Sequence, residues 1–210
     1  MIESIWLAAI AALVSLDVTA FGQFMISRPI VVGPIFGFLL GDIKTGIWLG
    51  MIVELLWVGV IPMGASVPPD TTAMAILSTV WGMRGVPNHP SSVVLALALA
   101  IPAAVLFRLV DVAQRYAHVR IARWVQDAPD GALESRISQG IYAGFLLFFI
   151  KAFLFYAGLL YAGSVVTREV YFRLSPMMVN GLGLAWRVLP VVGFAVILRN
   201  FHGNFLRGSK

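Results

Sequence analysis

Two carboxylates stand where an apolar chain carries them only at a cost. Glu54 lies within a hydrophobic run from about Gly46 to Pro62. Asp70 closes the stretch Pro62-Met63-Gly64-Ala65-Ser66-Val67-Pro68-Pro69-Asp70. An ionised side chain inside a spanning helix costs about 2.5–3.5 kcal/mol on insertion scales, so it usually faces a cavity or a partner. Glu54 can accept hydrogen bonds from substrate hydroxyls or bind a proton; the alternative is a structural pair with Lys44, Arg28 or a basic residue of another subunit. Asp70 precedes Thr71-Thr72 at a potential helix start. It can cap that helix, contact a hydroxylated ligand, or do both. Ser66 and Gln23 are neutral hydrogen-bonding groups of the kind sugar sites use, though each alone is more often structural.

Other polar residues carry less. Asp42 and Lys44 flank the turn GDIKTG and read as a capped loop at the membrane surface. Lys151, deep in GFLLFFIKAFLFY, calls for a carboxylate partner or a helix break, and Arg187 poses the same problem in the last apolar run. His89, His118 and His202 lack the spacing of a metal site or a phosphorylated histidine. No HExxH, GxSxG or P-loop is present, so intramembrane hydrolysis and nucleotide-driven transport lack residues to carry them. No cofactor is expected.

The elements that position these groups follow from composition. Of 210 residues, 60% are hydrophobic and 12% charged, about half the charged fraction of a soluble domain, and mean hydropathy is +0.90. At about 20 residues per crossing, the chain has room for six or seven hydrophobic segments. A soluble enzyme is excluded. The absence of cysteine removes disulfides, thiolate metal sites and cysteine nucleophiles. The net charge of +5 reads as cytoplasmic loops beside anionic lipid, not as nucleic-acid binding. The expected fold is all-α, a polytopic integral membrane protein in one membrane domain spanning 1–210, with some segments short, Gly/Pro-broken or re-entrant.

Residues 1–21 read as a retained membrane segment, because no basic n-region or small-residue cleavage site is evident. Residues 28–84 form the broken-helix region. The run IVVGPIFGFLLGD is too short to span straight, with Gly33, Pro34, Gly37 and Gly41 as further breaks. Such interrupted segments are the best sequence pointer to a transporter's binding site. A span is expected from Pro90 to Phe107, then an amphipathic cytoplasmic segment over 108–138, then C-terminal spans within 139–200. If 139–163 and 177–198 each cross once, the five arginines of 108–138 and the basic tail share one side, and the positive-inside rule makes it the cytoplasm. The glycines at 37/41 and 46/50 offer small-xxx-small packing faces.

The run from Arg28 to Asp70 resembles the enzyme IIC component of mannose-type phosphotransferase systems, the mannose, fructose, sorbose and N-acetylgalactosamine group. The Arg28-Pro29 start, the LGD-x-x-TG turn, the carboxylate in VELLWVG and the GA-x-x-PPD loop occur in that family's order and spacing. A weaker likeness continues through Lys151 and the Asn-Gly and Pro-x-x-Gly pattern of VNGLGLAWRVLPVVGFA. Trp186-Arg187 stand where small residues are usual, which would crowd close helix packing. The resemblance implies a sugar-translocating subunit of a phosphoenolpyruvate-dependent system in the bacterial inner membrane, itself not an enzyme. It implies assembly with a IID-type membrane subunit as an oligomer of IIC–IID pairs. Cytoplasmic IIA and IIB phosphocarriers would relay the phosphate. Carried over by position, Glu54, Ser66 and Asp70 would line the sugar site, with Gln23 an addition. Family members usually run past this length. That favours one rival, a non-transporting assembly or regulatory subunit; a second rival is a proton-coupled carrier using Glu54.

Overall fold

A computed structural model describes residues 2–19, 22–59, 68–129 and 131–207; for residues 2, 18, 19 and 201–207 it describes the backbone alone. Seven helices account for nearly all of the described residues: α1 (Ile2–Thr19), α2 (Pro29–Leu39), α3 (Ile43–Trp57), α4 (Thr71–Gly85), α5 (Pro90–Gln126), α6 (Leu133–Arg173) and α7 (Pro176–Arg207). Among the described residues α5, α6 and α7 are long and apolar enough to cross a membrane.

Helix α4 is the axis of the bundle. Its sequence TTAMAILSTVWGMRG shows no amphipathic stripe, and residues Thr72 to Gly82 are all buried. A helix apolar all round belongs in a core, and α2, α3, α5 and α6 all pack on α4. Helix α6 turns the four-residue ladder Phe148, Ala152, Tyr156 and Leu160 inward. A Cβ on Gly163 would fall among the ring atoms of Trp81, so the glycine lets the indole lie across α6. There the Trp81 N–H donates to the Leu159 carbonyl at 2.9 Å.

Helices α2 and α3 form a tight hairpin. The turn passes through Gly41 at φ +87°, a left-handed conformation suited to glycine. The sequence suggested that Gly33, Pro34 and Gly37 break α2, but the helix runs unbroken through all three. The glycines act in packing instead. A Cβ on Gly33 would stand 2.4 Å from the Gly46 carbonyl oxygen, and one on Gly50 would stand 2.4 Å from that of Pro29. The close face is therefore 33/37 against 46/50.

The amphipathic residues 108–138 fall on the end of α5, the start of α6 and the link between them. Helix α5 continues without interruption to Gln126, and α6 starts at Leu133, so the segment is the far end of a helical hairpin. Helix α6 ends beside α4, where Gly85 lies against Thr167, and α7 begins beside α5, where Gly183 lies near Ser91. Helix α7 then runs to Gly193 and Asn200, beside Leu55 and Gly59 at the end of α3. The tip of the α5–α6 hairpin and the C-terminal end of α7 thus point the same way. Trp186 does not crowd the packing: it stacks on Trp48 of α3 with ring centroids 3.7 Å apart.

Candidate functional site

The site gathers where helices stop. Helix α3 ends at Trp57, which places Glu54 in its last turn and not mid-helix as the apolar run suggested. Helix α4 begins at Thr71 with Asp70 as its N-cap; the carboxylate accepts from the Ala73 N–H at 2.8 Å. Both carboxylates line one cavity of about 240 Å³, together with Arg28, Trp57, Thr72 and Arg108. That volume is just below the usual range for small-ligand clefts, about 300–1,000 Å³.

Each wall is held by a stated contact. Glu54 Oε1 receives the Arg28 guanidinium at 3.2 Å. Its other oxygen faces the Ile30 N–H at 3.5 Å, at the N-terminus of α2 where unpaired amides favour an anion. The structural pairing considered for Glu54 is thus present, with Arg28 as partner. It does not close the site: the Arg28 side chain is 55% exposed, and a carboxylate offers about four lone-pair positions. Arg28 is positioned by the turn before α2. Asp17 accepts from the Phe24 N–H at 2.7 Å, the Ser27 N–H at 3.1 Å and the Ser27 hydroxyl at 3.0 Å. The Thr72 hydroxyl donates to the Ser27 carbonyl at 2.8 Å, which ties that turn to α4.

Beneath the cavity lies a charge network. Asp111 accepts from Lys151 at 3.1 Å and from Arg108 at 3.4 Å. Lys151 and Asp111 are 9% and 13% exposed. The Lys151 ammonium also sits over the rings of Phe148 and Phe107, at 4.0 and 4.5 Å. Of the two ways the sequence offered to accommodate Lys151, the carboxylate partner is used, and α6 passes the residue unbroken. Arg187 is exposed on α7 and has no ion pair among the described residues.

Of the four residues expected at the site, Glu54 and Asp70 come together. Ser66 lies outside the described residues. Gln23 is exposed on the turn before Arg28, with φ +50°, and is not part of the cavity wall. Trp57, Thr72 and Arg108 were not foreseen as site residues. Trp57 had a signal, since it follows Glu54 by three residues and shares its helix face; Arg108 had none beyond a helical repeat with Asp111. The cavity presents two carboxylates, two guanidiniums and an indole. Those groups can accept from and donate to a ring of hydroxyls and cover an apolar ring face.

Comparison with known proteins adds an independent line. A family model described as the PTS system sorbose-specific IIC component matches residues 1–204. A relative named the PTS system mannose-specific EIIC component, from Escherichia coli, is 29% identical over 187 residues, covering 88% of this chain and 68% of its own. The PTS system sorbose-specific EIIC component of Klebsiella pneumoniae is 27% identical over 193 residues, with the same shares. Among solved structures, the mannose transporter ManYZ in complex with a microcin has a TM-score of 0.65 at 24% identity, covering 99% of this chain and 85% of that one. At that identity the structural likeness speaks to the fold alone.

Proposed function

Because the chain belongs to the sorbose-specific IIC component family of phosphotransferase systems, we propose that it binds a neutral hexose or hexosamine in the Glu54–Asp70 cavity and passes it inward. As a member of that family it is a multi-pass membrane permease subunit and not an enzyme of phosphoryl transfer. The observation that carries the site assignment is the meeting of Glu54 and Asp70, from two different helix ends, at one cavity. Arg28 and Arg108 balance their charge, so the wall is neutral overall and suits a polyol better than a sugar acid. Trp57 offers a flat apolar surface to the C–H face of a pyranose. Ser66, two residues before Pro68, completes the proposed contact set.

The orientation follows from charge. Arg115, Arg120, Arg123 and Arg136 lie on the α5–α6 hairpin, at the end towards which the C-terminus of α7 points. By the positive-inside rule that end is cytoplasmic, and the bacterial relatives favour the inner membrane. Along α5, Pro90 to Arg108 is about 27 Å at about 1.5 Å per residue, close to one hydrocarbon thickness. The cavity then sits near the cytoplasmic face, where IIA and IIB phosphocarriers would deliver phosphate, beside a IID-type membrane subunit.

The test is phosphoenolpyruvate-dependent phosphorylation of labelled mannose, sorbose and N-acetylgalactosamine by membranes holding this chain, its membrane partner and the soluble phosphocarriers. Activity with at least one sugar, reduced at least about tenfold by Glu54→Gln or Asp70→Asn and insensitive to collapse of the proton gradient, is expected. A loss of that size corresponds to about 1.4 kcal/mol, the worth of one good hydrogen bond. Unchanged activity in both variants, or no activity from an assembled complex with competent partners, would overturn the reading.

A further inference from the structure

A second cavity, of about 360 Å³, lies at the opposite end of the α2–α3 hairpin and shares no lining residue with the first. Asp42 and Glu54 are twelve residues apart on α3, about 18 Å along the axis. The second cavity is lined by Asp42, Thr45, Asn88, His89 and Trp186. Trp186 is backed by its stack on Trp48, which makes a rigid aromatic slab. The α4–α5 turn holds Asn88 at φ +63°, a conformation asparagine tolerates better than most residues. His89, at the start of α5, makes no capping hydrogen bond with its ring. Among the described residues neither the Asn88 amide nor the His89 imidazole has a protein hydrogen-bond partner. Asp42 accepts from the Thr45 N–H at 3.1 Å and its hydroxyl at 2.5 Å, which fixes the carboxylate while leaving lone pairs open.

We infer that this cavity is an outer sugar station, where a pyranose rests against Trp186 and hydrogen-bonds to Asp42, Asn88 and His89 before reaching the Glu54–Asp70 cavity. The inference rests on the proposed function and extends it. The chemistry repeats that of the inner cavity: a flat ring, a fixed carboxylate, and groups able both to donate and to accept. In the proposed orientation this cavity opens to the outside.

The chain has no cysteine, so His89→Cys introduces its single thiol at an exposed position. Intact cells carrying the full complex are treated with a membrane-impermeant maleimide, with and without whichever of mannose, sorbose or N-acetylgalactosamine the complex phosphorylates. Arg173→Cys, exposed at the same end, is the control, and both are repeated with Glu54→Gln to stall passage. The maleimide should reach both thiols. Sugar at ten times its Kd should slow labelling at position 89 about tenfold, leave position 173 unchanged, and do so with Glu54→Gln as well. Labelling at 89 indifferent to a sugar that the complex phosphorylates would overturn the inference, as would protection that vanishes with Glu54→Gln or a thiol unreachable from outside. Failure of the underlying function shows separately, as phosphorylation that Glu54→Gln and Asp70→Asn leave intact.

Discussion

Replacing Gly33 by alanine puts the hairpin to a sharp test. The new Cβ would stand 2.4 Å from the Gly46 carbonyl oxygen and 2.8 Å from the Gly50 Cα. Both are backbone atoms, so no side chain can swing aside. Ordinary contacts between heavy atoms are about 3.5–4.0 Å, so α2 and α3 must part by about 1 Å. Overpacking of this kind costs about 1–3 kcal/mol. Arg28 lies about one turn before Gly33, and Glu54 one turn after Gly50. The same displacement opens their 3.2 Å contact to about 4 Å. Gly33→Ala should therefore unfold at lower denaturant in detergent micelles and bind sugar about tenfold more weakly by calorimetry, as expected for one lost hydrogen bond. Gly158 and Gly181 have nothing within 4 Å of an added Cβ. Alanine there should be neutral or up to about 1 kcal/mol stabilising. If Gly33→Ala matched those controls in stability and binding, the hairpin account would fail.

Other perturbations follow from the contacts. Lys151→Met removes the nearer cation from Asp111 but leaves Arg108 at 3.4 Å, so it should cost about 1–3 kcal/mol in the same unfolding assay. Trp186→Ala removes a stack worth about 0.5–1.5 kcal/mol beyond its buried area, and should weaken apparent sugar affinity without lowering the maximal rate. Asp42→Ala should cost about 1 kcal/mol as a lost helix cap. The Thr45 hydroxyl and amide, with Lys44 nearby, hold the Asp42 carboxyl below its ordinary pKa. Its folded-state value is the lower one, so the cap's stabilisation is full above about pH 4 and disappears as pH falls below that. A pH series of unfolding midpoints should show a larger acid-side loss in the parent than in Asp42→Ala.

Much of this arrangement was legible in the chain because membranes punish polar groups. Lys151 called for a carboxylate partner or a helix break, and Asp70, after two prolines and before Thr71-Thr72, stood at a potential helix start. What composition could not reveal was where helices end. The apolar run around Glu54 continues to Pro62, yet the helix stops at Trp57, which moves the carboxylate from mid-helix to a cavity rim. Glycines in α2 read as breaks, since flexibility and close approach leave the same residue in a sequence; only the facing positions of α3 distinguish them. Arg108 reaches the cavity from an element far along the chain, and no local pattern announces such a contact. The same holds for the pairing of Trp48 with Trp186.

The central claim, that the sugar lies between Glu54 and Asp70, is tested most directly by a cryo-EM structure of the complex at saturating sugar. Density for a pyranose within about 2.7–3.2 Å of both carboxylates, with a ring face against Trp57, is the predicted result. Sugar density that contacts neither carboxylate at any position along the chain would contradict it.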